Sequence, residues 1–122
     1  KIMDILLVDD DVAVRAMIGD VLESRGHSLR TAGDGLEALQ LMQEALPELV
    51  ISDVHMPGMG GVELLREIRS RFQEIPVLLI AGMDVKEDVL ETGACARLSK
   101  PFQIRQLLSC LEDIGNQGEG SG

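Results

Sequence analysis

A chain of 122 residues with 45% hydrophobic content suffices for one domain with a sizeable core, which 2% aromatics leave to Leu, Val, Ile, Ala and Met. A formal charge of −10 excludes nucleic-acid binding through clustered Lys and Arg, and favours a cation or a basic partner surface. No apolar run approaches the roughly 18 residues of a membrane span, no signal peptide opens the chain, and Cys95 and Cys110 follow no metal spacing, so a soluble, cytoplasmic chain with reduced, mostly buried thiols is expected.

Ile5 to Val8 is a continuous apolar run, the signature of a parallel strand covered on both faces. Asp9, Asp10 and Asp11 end it, and one of them can cap the helix marked by Val14, Met17, Ile18, Val21 and Leu22, which Gly26 stops. His27 to Ala32 is shorter and more polar, as on a sheet edge. Asp34 is a cap-like residue with Glu37 three positions on, opening a helix whose stripe takes in Leu36, Leu39, Met42 and Leu46 and which ends before Pro47. Leu49 to Ser52 is the third strand, and Asp53 to Gly61 the loop after it. Val62, Leu64, Leu65 and Ile68 mark a third helix.

Pro76 precedes Val77 to Ile80, a fourth buried strand. Asp84 to Glu87 resembles another capping box, but the segment reaches Gly93 so soon that any helix in it has roughly two turns. Cys95 to Leu98 is a fifth strand, and Ile104, Leu107, Leu108, Leu111 and Ile114 make a last amphipathic helix. The remainder, 115–122, is Gly-rich and reads as a flexible tail or linker after a domain over 1–114. Lys1 is not an initiator Met, so a segment of a longer protein is expected.

Strands alternating with helices imply an α/β fold with a parallel sheet and helices on both faces. Ligands in such sheets bind beyond the carboxyl ends of the strands. Three of those ends carry chemistry: Asp9 and Asp10 after the first strand, Asp53 after the third, Lys100 after the fifth. Carboxylates gathered there repel one another unless a hard divalent cation such as Mg²⁺ offsets the charge with oxygen ligands. An Asp beside such an ion can be a nucleophile toward a phosphoryl group, with a lysine adding a point charge. Each Asp alone could be merely a turn or cap residue; the set at strand ends points to phosphoryl transfer.

The segments Ile5 to Asp11, Asp34 to Leu39, Asp53 to Gly61 and Lys100-Pro101-Phe102 resemble, in order and near spacing, the receiver domain of bacterial two-component response regulators. The resemblance covers roughly residues 2 to 114 and implies a flavodoxin-like doubly wound five-stranded sheet of order 2-1-3-4-5. It implies Asp53 as phosphoacceptor, charged from a phosphohistidine on a sensor histidine kinase or histidine phosphotransfer protein. Asp9 and Asp10 would hold Mg²⁺ with Asp53 and the backbone carbonyl of His55. Lys100 would contact the phosphoryl oxygens, its bond to Pro101 being cis. His55 would be a solvent-exposed loop side chain that influences how long the phosphoryl group survives. Met56, Met59 and Met83 read as loop packing. The domain would be a monomer or weak homodimer that catalyses only its own phosphorylation and dephosphorylation, without membrane or nucleic-acid contact.

The chain departs from that family's pattern in places. Ala81 stands where a Ser or Thr hydroxyl is expected, and Arg97 where an aromatic is usual; Gly60 replaces a frequent Asp. The segment from Ala81 to Gly93 is about three residues shorter than the family's usual one. A receiver with atypical output coupling follows, possessed of acceptor chemistry but transmitting otherwise, or relaying phosphate within a hybrid kinase. The alternatives are a degenerate receiver serving as a phosphorylation-independent docking module, and a haloacid-dehalogenase-type phosphatase. The phosphatase would use the Asp-x-Asp spacing of Asp9 and Asp11, although Ala13 replaces its preferred Thr or Val and no acid pair follows Lys100 before Glu112 and Asp113. A nucleotide carrier is disfavoured, since no Gly-rich phosphate loop follows the first strand.

Overall fold

The computed structural model describes residues 1–72, 74–82, 85 and 93–120, with the side chains of 117–120 excepted. The strands are β1 (Asp4–Val8), β2 (Ser28–Ala32), β3 (Leu49–Asp53), β4 (Val77–Ala81) and β5 (Ala96–Ser99), and the helices α1 (Val12–Ser24), α2 (Gly35–Glu44), α3 (Gly61–Arg71) and α4 (Ile104–Gly120). All strand pairings are parallel, in the order β2-β1-β3-β4-β5. The doubly wound sheet expected from the sequence is thus present.

Continuous apolar runs suit this sheet because alternate side chains enter different cores. Leu6, Val8, Val50, Val77 and Leu79 pack with Ala38, Leu39 and Met42 of α2 and Leu64, Leu65 and Ile68 of α3. Ile5, Leu7, Leu49, Ile51, Leu78 and Ile80 pack on the other face with Ile18 and Leu22 of α1 and Leu107, Leu111 and Ile114 of α4. Each such Leu or Ile removed from water contributes about 1.5–3 kcal/mol before chain entropy is charged against it. The edge strand β2 is the polar one, and its Arg30 guanidinium donates to the carbonyls of Leu41 (3.0 Å) and Ala45 (2.8 Å), capping the end of α2, whose own last turn has no basic residue.

Three local expectations change. Leu36 and Leu46 are 62% and 53% exposed rather than on the stripe of α2. The buried centre of α2 is Ala38, Leu39 and Met42, from which Leu36 stands about 110° round the helix, and Leu46 lies beyond the C-cap Ala45. The last helix does not end before Gly115 but runs to Gly120. No proline interrupts its amide ladder, and Gly115 costs a helix interior only about 1 kcal/mol relative to Ala. The short helix expected from Asp84 lies outside the described residues, as does Met83. The cysteines are free and half-buried, with burial pushing both thiols up, as suits unreactive groups.

The turn after β3 contains Gly58 at φ +74°, a left-handed conformation that suits glycine. It returns the chain so closely that the first residue of α3 touches the strand end: a Cβ on Gly61 would lie 2.3 Å from the Asp53 carbonyl oxygen and 2.9 Å from Val54 Cα. At Gly35 the obstruction would be side chain rather than backbone, Met59 Cγ at 2.7 Å and Cβ at 2.9 Å, which also places Met59 in loop packing as expected. Gly61→Ala should therefore lower stability by about 1–3 kcal/mol, since backbone must move. Gly35→Ala should cost clearly less. Urea midpoints of both variants check this, and equal losses would contradict the close approach at Gly61.

Candidate functional site

Each chemical residue is delivered by a strand end. Asp9 follows β1 directly and is 1% exposed. Its amide donates to the Ala32 carbonyl (3.1 Å), its Oδ1 accepts from the Asp11 amide (2.9 Å), and its carbonyl accepts from Arg15 Nη1 (2.9 Å). Asp10 is exposed. Asp11 turns away to cap α1, its Oδ1 accepting from the amides of Ala13 (3.0 Å) and Val14 (3.2 Å).

Asp53 is the last residue of β3 and 6% exposed. Its Oδ1 accepts from the His55 amide (3.1 Å), and its Oδ2 is 2.7 Å from Lys100 Nζ. One carboxylate oxygen from each of Asp9, Asp10 and Asp53 lies within 4.8 Å of the others. Lys100 is placed by its own amide, which donates to the Ala81 carbonyl (2.8 Å), and its bond to Pro101 is cis. The His55 side chain is exposed, while its backbone adjoins Asp53. Thus Asp9, Asp10, Asp53 and Lys100 come together as the sequence suggested, with His55 at the edge.

The electrostatics are those of a site short of positive charge. Burial, more than the charges of Asp53 and Asp10, pushes the Asp9 carboxyl above its usual value, despite the Asp11 amide and Lys100. Burial tends to lower the Lys100 amine, but the hydrogen bond to Asp53 and the charges of Asp53, Asp9 and Asp10 outweigh it and raise the amine above its ordinary value. Asp9 Oδ2 is buried without a hydrogen-bond partner. Native proteins rarely leave such an atom orphaned, so the donor set fits a hard divalent cation. Among the described residues, Asp9, Asp10 and Asp53 are the ones grouped closely enough to hold one.

Two supporting residues escaped the sequence reading. Arg15 sits one turn into α1, where a cation after three acids was a usable signal. Ser52 is fully buried and its hydroxyl donates to the Asp53 carbonyl (3.0 Å); a serine at the end of an apolar strand was its only mark. Ala81 is buried at the tip of β4 and offers no side-chain donor. Arg97 opposes Leu79 in the sheet register and reaches carbonyls beyond β4.

Known proteins match this arrangement. The family model of the response regulator receiver domain matches residues 5–112. Response regulator MprA of Mycobacterium leprae (strain TN) is 40% identical over 115 residues, 92% of this chain and 50% of that protein. The chain thus spans about half the length of the curated relatives it matches. Among solved structures, the receiver domain of NtrX from Brucella abortus superposes with a TM-score of 0.86 at 34% identity, covering 91% of this chain and 97% of that one. Chemotaxis response regulator CheY4 of Vibrio cholerae gives a TM-score of 0.85 at 33% identity, over 93% and 99%.

The raised Asp9 carboxyl has a consequence for stability. A carboxyl whose folded value exceeds its unfolded one favours folding below the unfolded value, and that contribution is lost as pH rises through the folded value. In chelator, Asp9→Asn should therefore melt a few degrees higher than the parent at neutral pH, because Asn keeps an Oδ1 for the Asp11 amide and removes the charge. The difference should shrink as pH falls toward the ordinary carboxyl value of 3.8. Thermal melts across pH check the sign; a variant less stable at pH 7 than at pH 4, relative to the parent, would contradict it.

Proposed function

This chain belongs to the response regulator receiver domain family, and from that premise we propose that it takes a phosphoryl group from a phosphohistidine onto Asp53 in a site that binds Mg²⁺. The observation that carries the proposal is the pairing of Asp53 Oδ2 with Lys100 Nζ at 2.7 Å beside the orphaned Asp9 Oδ2. The receiver unit is residues 1–114, and its donor is a sensor histidine kinase or histidine phosphotransfer protein.

A carboxylate oxygen of Asp53 forms the new bond to phosphorus while the N–P bond breaks and its electrons return to the donor imidazole. Lys100 holds the acceptor carboxylate and lies where the developing phosphoryl oxygens need a positive charge. The His55 amide fixes the other carboxylate oxygen, which orients the group for attack. In the reverse stage water attacks phosphorus, Asp53 leaves as carboxylate and inorganic phosphate departs. The chain promotes only these two steps on itself. Asp9, Asp10 and Asp53, with the His55 carbonyl, would hold Mg²⁺, which when bound neutralises charge on the phosphoryl oxygens. The exposed His55 side chain borders the acceptor and is a tuner of the hydrolysis step.

Output coupling is atypical on this reading, because neither Ala81 nor Arg97 carries the hydroxyl or aromatic ring of the family pattern. Those same residues favour the second reading, a docking module that needs no phosphate. The buried acids weigh against it: a docking module gains nothing from an unpartnered carboxylate oxygen that costs stability. The phosphatase reading loses Asp11, whose carboxylate caps α1.

Incubation with a small acyl phosphate and Mg²⁺ should label the parent stoichiometrically. Asp53→Asn should reduce labelling at least a hundredfold, and chelation should abolish it. Lys100→Ala should slow it roughly tenfold or more, the loss of a charge-assisted hydrogen bond worth about 1.5–3 kcal/mol. Equal labelling of Asp53→Asn and parent would reject Asp53 as acceptor, and a parent that never labels would favour the docking module.

A further inference from the structure

Three successive carbonyls at the tip of β4 are each taken by a donor tied to a different part of the site. The Ile80 carbonyl accepts from the amide of Val54, the residue after Asp53 (2.9 Å), and the Ala81 carbonyl from the amide of Lys100 (2.8 Å). The third, Gly82, accepts from Arg97 Nη2 (3.2 Å) and from the Val85 amide (3.2 Å). Arg97 Nη2 also donates to the Val85 carbonyl (3.3 Å), and its Nε to Ser99 Oγ (3.3 Å). From a register position opposite Leu79, one guanidinium therefore binds the carbonyls of both Gly82 and Val85, which are themselves hydrogen-bonded to each other.

From this row we propose that Arg97 is a positioning residue for the Asp53 site. Its guanidinium holds Gly82 and Val85 against the strand tips that carry Asp53 and Lys100, and thereby sets how fast the phosphorylated form is made and lost. The inference rests on the phosphoacceptor reading above. Ala81 offers Gly82 and Val85 no side-chain anchor, and Arg97 supplies one from the neighbouring strand. Arg suits the task because its fixed fork of donors can serve several carbonyls at once, which the point charge of Lys cannot do. Gly82 is one peptide beyond the two that are bonded to the residues flanking the acceptor and to the lysine. A shift in either strand tip therefore reaches Arg97 through backbone hydrogen bonds alone.

The test uses the whole chain as parent, Arg97→Ala and Arg97→Lys. Amide exchange at Val85, read by NMR in chelator without phosphodonor, should be at least tenfold faster in Arg97→Ala, with Arg97→Lys between. The Ile51 amide, in the middle of the sheet, reports global opening and separates a local release from general destabilisation. With acyl phosphate and Mg²⁺, the rates of labelling and of phosphate loss should change severalfold in Arg97→Ala and be partly restored in Arg97→Lys. Val85 exchange within twofold of the parent once corrected for Ile51, or unchanged rates on a normally labelled Arg97→Ala, would overturn the positioning role alone. A parent that takes no phosphoryl group overturns the acceptor reading and the positioning role with it, and the exchange measurement then decides only whether Arg97 holds Val85.

Discussion

Like charges forced together at one edge of the sheet are the constraint on which this structure depends. The oxygens of Asp9 and Asp53 lie within 4.8 Å, both side chains are buried, and at an effective dielectric of about 20 such a pair repels by about 3 kcal/mol. One amine, Lys100, faces that charge. Folding does not relieve the repulsion; it sustains it, because the acids stand at the ends of two adjacent strands, β1 and β3, whose apolar residues belong to two separate cores. Displacing any acid would mean shifting a strand by a register step and moving its whole apolar set to the wrong face. The energy stored at the site is held there by burial elsewhere.

This division explains which parts were legible in the sequence. Strand runs such as Ile5 to Val8 and Val77 to Ile80 were legible because burial on both faces leaves no room for polar residues. Asp53 and Lys100 were legible for the complementary reason, since a charge directly after a buried run has to lie at a strand end. Helix stripes were read less well. Leu36 satisfies a helical period yet stands at the flank of α2, where the sheet no longer covers it, and periodicity does not report how wide the covering is. The glycines from Gly115 onward have the composition of a flexible tail, and composition does not report that α4 continues through them to Gly120.

The least legible residues are those that bind backbone carbonyls over long sequence distances. Arg30 caps α2, Arg69 bonds the carbonyls of Ile75 (2.6 Å) and Gly93 (2.9 Å), and Arg97 bonds those of Gly82 and Val85. A carbonyl has no residue identity, so no motif marks its partner; only the fold does. In a chain carrying 11 basic against 21 acidic residues, an arginine would be expected to answer a carboxylate. At these positions it also answers the main chain.

That use of arginine bears on how the site speaks to its surroundings. Ala81 brings no polar side chain to the site, so what the tip of β4 offers there is backbone. Val54, Lys100 and Arg97 occupy the carbonyls of Ile80, Ala81 and Gly82 in turn, so the tips of β3, β4 and β5 are already one hydrogen-bonded unit that ends on a charged, half-buried side chain. A change at Asp53 has little freedom to stay local there, because each peptide in the row carries a donor fixed by its neighbour. Strand-tip coupling of this kind runs through the main chain, which ties the residues beside Asp53 and Lys100 to the tip of β4 whatever side chain stands at position 81.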